Sequence, residues 1–162
     1  GAQGGTQLPA IIFDVSDTTT QIAKRLLYET RVDMRPSDIA LLPDRRGLLV
    51  LERDYVPGFG NTIRLVHAPL EALALPLIRT RIIAELTPEL HNTDNFEGLA
   101  VLSDPQGVRI FLVSDDNFNT DERSLLFEFL WPSPYLPQSN AQLTIPHSLH
   151  ILDGLRTMLQ QP

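Results

Sequence analysis

The sequence predicts an all-β protein of antiparallel strands with one short C-terminal helix. Three observations carry this expectation. Short segments rich in Val, Ile, Leu and Phe alternate with Pro, Asp, Asn and Gly, the signature of strands joined by turns. Thirteen prolines are spread over 162 residues, and each would cost about 3 kcal/mol inside a helix. A strand-turn-strand pattern also occurs twice, Ile39 to Gly47 matching Leu99 to Gly107.

Ile11 to Ser16 and Ala23 to Glu29 are the strands of a partial N-terminal β unit, residues 1–34. Asp38 to Leu42, Leu48 to Glu52 and Thr62 to His67 belong to a first repeat unit, residues 35–93. Leu70 to Leu86 has Pro76 in its middle, so two short pieces are expected there and not one helix. The second piece, around Arg79 to Glu85, supplies a fourth strand to the first unit. Gly98 to Ser103, Val108 to Ser114 and Ser124 to Trp131 form the second unit, residues 94–135. In the tail, residues 136–162, Leu149, Leu152, Leu155 and Leu159 recur at helical spacing behind Ser148 as N-cap, which predicts a helix despite Gly154.

In the repeat, Ile39-Ala40-Leu41-Leu42-Pro43-Asp44-Arg45-Arg46-Gly47 aligns with Leu99-Ala100-Val101-Leu102-Ser103-Asp104-Pro105-Gln106-Gly107. Apolar positions, turn Asp and closing Gly coincide. After a two-residue gap, Val50 to Asp54 matches Leu112 to Asp116, and Ile63 to Val66 matches Leu125 to Glu128. Each unit therefore resembles a propeller blade, and the chain a partial propeller.

Composition narrows the function. The net charge of -7 repels phosphate backbones and anionic lipid, so no nucleic-acid partner is expected. With no cysteine, thiolate catalysis and Cys-ligated metals are impossible. No apolar run approaches the roughly 18 residues of a membrane span, and Gly1 to Ala10 lack the features of a signal peptide. There is no Gly-x-Ser-x-Gly elbow, and His67, His91, His147 and His150 show no metal-binding spacing. Gly58-Phe59-Gly60 reads as a hairpin turn and Trp131 as a packing residue.

Carboxylates are the remaining chemistry. If Asp104 to Gly107 is a turn, Glu97 falls opposite Ser114 and beside Asp115; the turn at Pro43 to Gly47 likewise puts Asp38 opposite Glu52. Each hairpin then gathers acids at the end away from its turn: Asp38, Glu52 and Asp54 in one, Glu97, Asp115 and Asp116 in the other. Like charges this close need a compensating cation. Arg53, Arg123 or a hard metal such as Ca²⁺ would serve, with Asn95 and Asn117 as amide ligands. The alternative is that these Asp and Asn residues cap turns.

The strings Asp94-Asn95-Phe96-Glu97-Gly98-Leu99-Ala100 and Leu112-Val113-Ser114-Asp115-Asp116-Asn117-Phe118, with Arg123, Leu49 to Arg53 and Gly60 to Leu65, resemble the phytase-like domain called "esterase-like activity of phytase". The resemblance runs from about Arg35 to Trp131, as though the chain held only the C-terminal part of that domain. It implies a propeller-like fold, a periplasmic or secreted location, and hydrolysis of phosphate or carboxylate esters. A closed propeller needs about four blades. Self-association through open sheet edges, or an edge covered by the Ser148 to Gln160 helix, is therefore expected.

Two functions compete. One is a metal-assisted hydrolase of a small ester or phosphoester, with Glu97, Asp115, Arg123 and Arg53 as catalytic groups. Glu52, Glu97, Asp115, Asp116 and Asn117 would hold Ca²⁺. The other is a non-catalytic propeller-type module that binds a ligand or protein, its carboxylates paired with Arg53 and Arg123. A fragment with neither role is the third possibility.

Overall fold

The computed structural model describes residues 5–16 and 21–132. The order is β1 (Gly5–Asp14), β2 (Gln21–Arg31), β3 (Arg35–Leu41), β4 (Gly47–Val56), β5 (Gly60–Pro69), a 3-10 turn (Leu70–Ala74), β6 (Leu77–Ile78), β7 (Arg81–Leu86), α1 (Pro88–His91), β8 (Phe96–Asp104), β9 (Gly107–Ser114) and β10 (Leu126–Pro132). Each expected strand has its counterpart, although β1 begins six residues early, at Gly5. Pro76 separates the 3-10 turn from β6, so Leu70 to Leu86 does break into short pieces. The single-turn helix α1, with Pro88 in its first turn and Asn92 in the left-handed region at its end, was not expected. The helix expected at Ser148 to Gln160 lies outside the described residues.

The strands form three sheets: β1-β2-β6, β3-β4-β5-β7 and β10-β9-β8. Pairing is antiparallel except for the short parallel contact of β6 with β2. In the middle sheet β7 is the fourth strand, as expected for the piece around Arg79 to Glu85.

Two cores explain the stacking. Successive strand residues point to opposite faces, so β4 and β5 supply both. Leu49, Leu51, Ile63 and Leu65 pack with Ile110, Leu112, Phe127, Phe129 and Trp131 of the last sheet. Val50, Val66 and Ala68 pack with Leu26, Tyr28 and Ile78 of the first. Each such side chain contributes about 1.5–3 kcal/mol when fully buried, and Leu49, Leu51, Ile63 and Val66 are all at 0% exposure. The middle sheet is thus covered on both sides.

The repeat holds rung by rung. Ile39 pairs with Val50 and Leu41 with Leu48; Leu99 pairs with Leu112 and Val101 with Ile110. Both hairpins also break register at matching points, between Pro36 and Asp38 and between Phe96 and Gly98. Ser37 and Glu97 are the extra residues of these two bulges. That corrects the expected facing pairs. Glu52 lies opposite Pro36 and Asp38 opposite Leu51, while Ser114 lies opposite Phe96 and not Glu97. At Glu97 the reason is the inserted residue, which shifts the rung beyond it; Asp38 lies on the turn side of its bulge, and there the whole ladder, from Leu41 opposite Leu48 to Asp38 opposite Leu51, runs one residue away from the register centred on Arg45.

The two bulged strands meet. The Leu99 N–H donates to Asp38 Oδ2 at 2.7 Å, and the Ser37 hydroxyl reaches the Phe96 carbonyl at 3.4 Å. Asp38 therefore joins β3 to β8.

Candidate functional site

A bulge re-aims the side chain it carries, and at Glu97 it turns a carboxylate toward Arg53. Arg53 Nη2 lies 3.4 Å from Glu97 Oε1, and the Asn95 amide donates to the same oxygen at 3.0 Å. Glu97 keeps 44% of its side chain exposed and Arg53 30%, so the pair is oriented yet open to water. Asn95 is the support beneath it. It is buried, and its Nδ2 also approaches the Asp115 carbonyl at 3.4 Å while its own carbonyl accepts the Asp115 N–H at 3.0 Å. Its Oδ1 is buried with no hydrogen-bond partner among the described residues.

Glu52 goes elsewhere. One residue before Arg53, it points to the opposite face and is fully buried against the first sheet. The Tyr28 hydroxyl donates to Glu52 Oε1 at 2.7 Å, and Arg64 Nε lies 3.6 Å from Oε2. Glu52, Arg64 and Glu85 occupy one cross-strand row over β4, β5 and β7, and Arg31 of β2 reaches Glu85 at 3.4 Å. Alternating sign along the row compensates charges held away from water. Burial, and then the bond to Glu52, pushes the Tyr28 phenol far above its ordinary range.

Arg123 is held by Asp94. Its Nε lies 3.0 Å from Asp94 Oδ2, its backbone N–H donates to the same oxygen at 3.2 Å, and its Nη2 donates to the Asn92 carbonyl. Asp94 is buried, and its other oxygen accepts the Asn95 N–H at 2.9 Å. This partner was missed. Asp94 stood in the sequence only as the first letter of a family string, and a pair formed across a loop leaves no periodic signal.

Asp115, Asp116 and Asn117 build a turn. Asp115 Oδ1 accepts the Asn117 N–H at 3.0 Å, and Asp116 Oδ1 accepts the Phe118 N–H at 3.0 Å. Asp116 Oδ2 takes the Ser124 hydroxyl, and the Asn117 amide donates to Glu122 at 2.8 Å. Asn117 and Phe118 both adopt positive φ, 47° and 56°, which such a tight turn requires. Turn capping is thus where these groups spend their bonds.

The constellation divides accordingly. Glu97 and Arg53 meet directly, and Asp115 joins them through its backbone and Asn95. Glu52 and Arg123 each have a separate partner. Among the described residues no group of three or more His, Asp or Glu side chains is placed to hold a metal ion. Calcium takes six to eight oxygen ligands, and the donor set formed by Glu52, Glu97, Asp115, Asp116 and Asn117 does not fit it.

Other expectations follow the residues. The Phe59 N–H donates to the Val56 carbonyl within the β4–β5 turn, and Trp131 is a buried packing residue. His91 Nδ1 accepts the Thr87 N–H at 3.1 Å, while His147 and His150 lie outside the described residues.

A family model described as "Phytase-like: Esterase-like activity of phytase" matches residues 1–118. The match starts upstream of Arg35, so it takes in the first sheet, and it ends before β10. No curated protein and no solved structure matches the chain significantly.

Proposed function

The chain belongs to the phytase-like family, and from that premise we propose that it hydrolyses small phosphate or carboxylate esters at the Glu97–Arg53 pair. One observation carries this reading. Glu97 is open to solvent while one of its oxygens is held by Asn95 and Arg53, which places an aimed base beside a cation.

In the reaction the Glu97 carboxylate takes a proton from a water molecule as the water oxygen attacks phosphorus or the carbonyl carbon. The Arg53 guanidinium holds the oxygen on which negative charge grows. The ester bond to the leaving oxygen then breaks, and that oxygen receives the proton from Glu97. Asn95 fixes the carboxylate. The donor set does not fit calcium, so the metal-assisted version gains no support from it.

In this reading the sheets are blades of a partial propeller. Three sheets against the four or more blades of a closed propeller support it. Among the described residues β1 and β10 have a sheet neighbour on one side only, which favours self-association through sheet edges. The family premise favours a periplasmic or secreted location; no helix among the described residues is long and apolar enough to cross a membrane.

The second reading is a non-catalytic binding module. The internal bonding of Asp94, Arg123, Asp115 and Asp116 favours it.

A panel of phosphate and carboxylate esters, assayed with and without Ca²⁺, separates the two. Hydrolysis that falls about 100-fold or more in Glu97→Gln, with unchanged folding, supports catalysis at this pair. A wild type inactive on every ester, or a Glu97→Gln variant with full kcat/KM, supports the binding module.

A further inference from the structure

The outer face of the last sheet is apolar, and no further sheet covers it among the described residues. In the repeat, the pairs Ile39–Val50 and Leu41–Leu48 correspond to Leu99–Leu112 and Val101–Ile110. That register makes Leu42, Leu49, Leu51 and Leu65 of the middle sheet the counterparts of Leu102, Phe111, Val113 and Leu126 of the last. The first four belong to the core between the two sheets. Their counterparts point away from it. Leu42 is 1% exposed and Leu102 57%; Leu51 is 0% exposed and Val113 44%.

The stacking has a direction. Leu48 and Val50 point to the first sheet, and their counterparts Ile110 and Leu112 point to the middle one. Each joint in the chain is thus made between the onward face of one sheet and the backward face of the next. The last sheet leaves an onward face open, and the first sheet leaves a backward face open. On that backward face Pro9 pairs with Leu27, Ile11 with Arg25 and Phe13 with Ile22, and Ile11, Phe13, Ile22 and Leu27 are all exposed. Charge is complementary as well. Asp104 and Glu128 share the single cation Arg109 on the last sheet's face, which leaves one negative charge in excess. On the first sheet's face Glu29 is paired with Arg79, and Arg31 with Asp33 and Glu85. Arg25 has no ion pair there among the described residues.

We infer that the partner of this face is a second copy of the chain, its first sheet stacked on its neighbour's last sheet, and that two copies joined in both directions close a ring of six sheets. Six lies within the roughly four to eight blades of closed propellers, and three does not. A head-to-tail contact either closes or grows into a filament, and closure doubles what each copy buries. A face about three strands wide and seven residues long covers roughly 300 Å². Two faces per copy therefore approach the about 800 Å² per partner of a stable interface, which one face alone does not. This joint is distinct from edge pairing, and it rests on the reading of the sheets as blades and not on the Glu97 pair.

Sedimentation equilibrium on the full chain over a range of concentrations tests the ring. The wild type should be a dimer with no larger species, and its Tm should rise with protein concentration. Ile11→Lys/Leu27→Lys blocks the first face and Leu102→Lys/Val113→Lys the last. Each alone should raise the dimer dissociation constant at least about tenfold, because a head-to-tail ring uses both faces. All four residues are already exposed, so far-UV circular dichroism should match the wild type, and the milder Leu27→Ser and Val113→Ser should shift association in the same direction. Phe59→Lys, exposed at the β4–β5 turn and on neither face, should leave association unchanged. A strictly monomeric wild type would give the face another occupant, residues 133–162 or a different protein, and overturn the assignment. A dimer weakened by only one of the double variants would mean two like faces stacked together, and a dimer that survives both would mean pairing through sheet edges; either overturns the ring. Filaments that lengthen with concentration overturn closure. Ester hydrolysis is read separately, so an inactive dimer leaves the ring standing.

Discussion

Gly47 and His67 share one space: a Cβ on residue 47 would stand 2.2 Å from His67 Nε2 and 2.9 Å from its Cδ2. The missing side chain is what lets the imidazole lie in the wall between the β3–β4 turn and Trp131. A Gly47→Ala variant must push a buried ring, and overpacking of this kind costs about 1–3 kcal/mol. Its urea midpoint should fall with the slope unchanged. Adding His67→Ala to it should recover part of the loss; two fully additive losses would break the link between these residues.

His67 also sets a pH dependence. Its folded pKa lies below the ordinary histidine value, about 6.5, chiefly through burial and then Arg81, with Asp44 and Glu71 opposing. The unfolded chain therefore binds more protons in the window just below pH 6.5, and stability should drop there as pH falls. Denaturant midpoints at pH 7.5 and pH 5.5 test this against His67→Gln. A slope that persists in the variant would assign it to other groups.

Asp38 is a strand connector. Removing its carboxylate leaves the Leu99 N–H without its acceptor, which costs about 1–3 kcal/mol for a buried donor and less at this half-buried position. Asp38→Ala should lower Tm, whereas Asp38→Asn, which keeps an amide oxygen, should lose less. Equal losses would mean that charge and not the bond matters.

The buried row at Glu52 predicts a larger effect. Glu52→Leu leaves Arg64 without its buried partner and should destabilise by about 3–5 kcal/mol. Replacing both, Glu52→Leu with Arg64→Leu, should regain much of that. Tyr28→Phe should cost about 1–3 kcal/mol through the lost bond to Glu52. Thermal melts of the wild type and these three variants check the order.

Calcium is expected to leave the Tm unchanged, because Asp115 and Asp116 already use their oxygens on the N–H groups of Asn117 and Phe118. Asp116→Ala should nevertheless destabilise by about 1 kcal/mol through the lost turn bonds. A Tm that rises with calcium in the wild type and not in Asp116→Asn would place a cation in this turn.

The strands were legible because period-two burial and turn residues mark them locally, and Asp44 and Asp104 announced two like hairpins. What failed was register, from the β3–β4 turn onward in one hairpin and beyond Gly98 in the other. A bulge adds one residue without changing composition, yet it moved Glu97 off the rung facing Ser114, while Asp38 missed the rung facing Glu52 because the β3–β4 turn sets its ladder one residue away from a register centred on Arg45. Charge compensation named Arg53 only as one of three candidate cations beside Arg123 and a metal; which of them meets Glu97 it did not say. The Glu52–Arg64–Glu85 row depends on the alignment of three strands, and Arg123–Asp94 on the path of a loop, and neither leaves a sequence pattern.

A sheet with neighbours on both faces has no free side on which to vary. Along β4 and β5 a new side chain at Leu49, Val50, Leu65 or Val66 must be accepted by residues from another sheet, so change there is slow and paired. Only the two ends of these strands escape that condition. One carries Arg45 and Arg46 beyond a tight turn, the other Arg53 beside Glu97. New chemistry in this architecture arises at its rims, and relatives that differ in ligand should differ there first while their sheet interiors remain interchangeable.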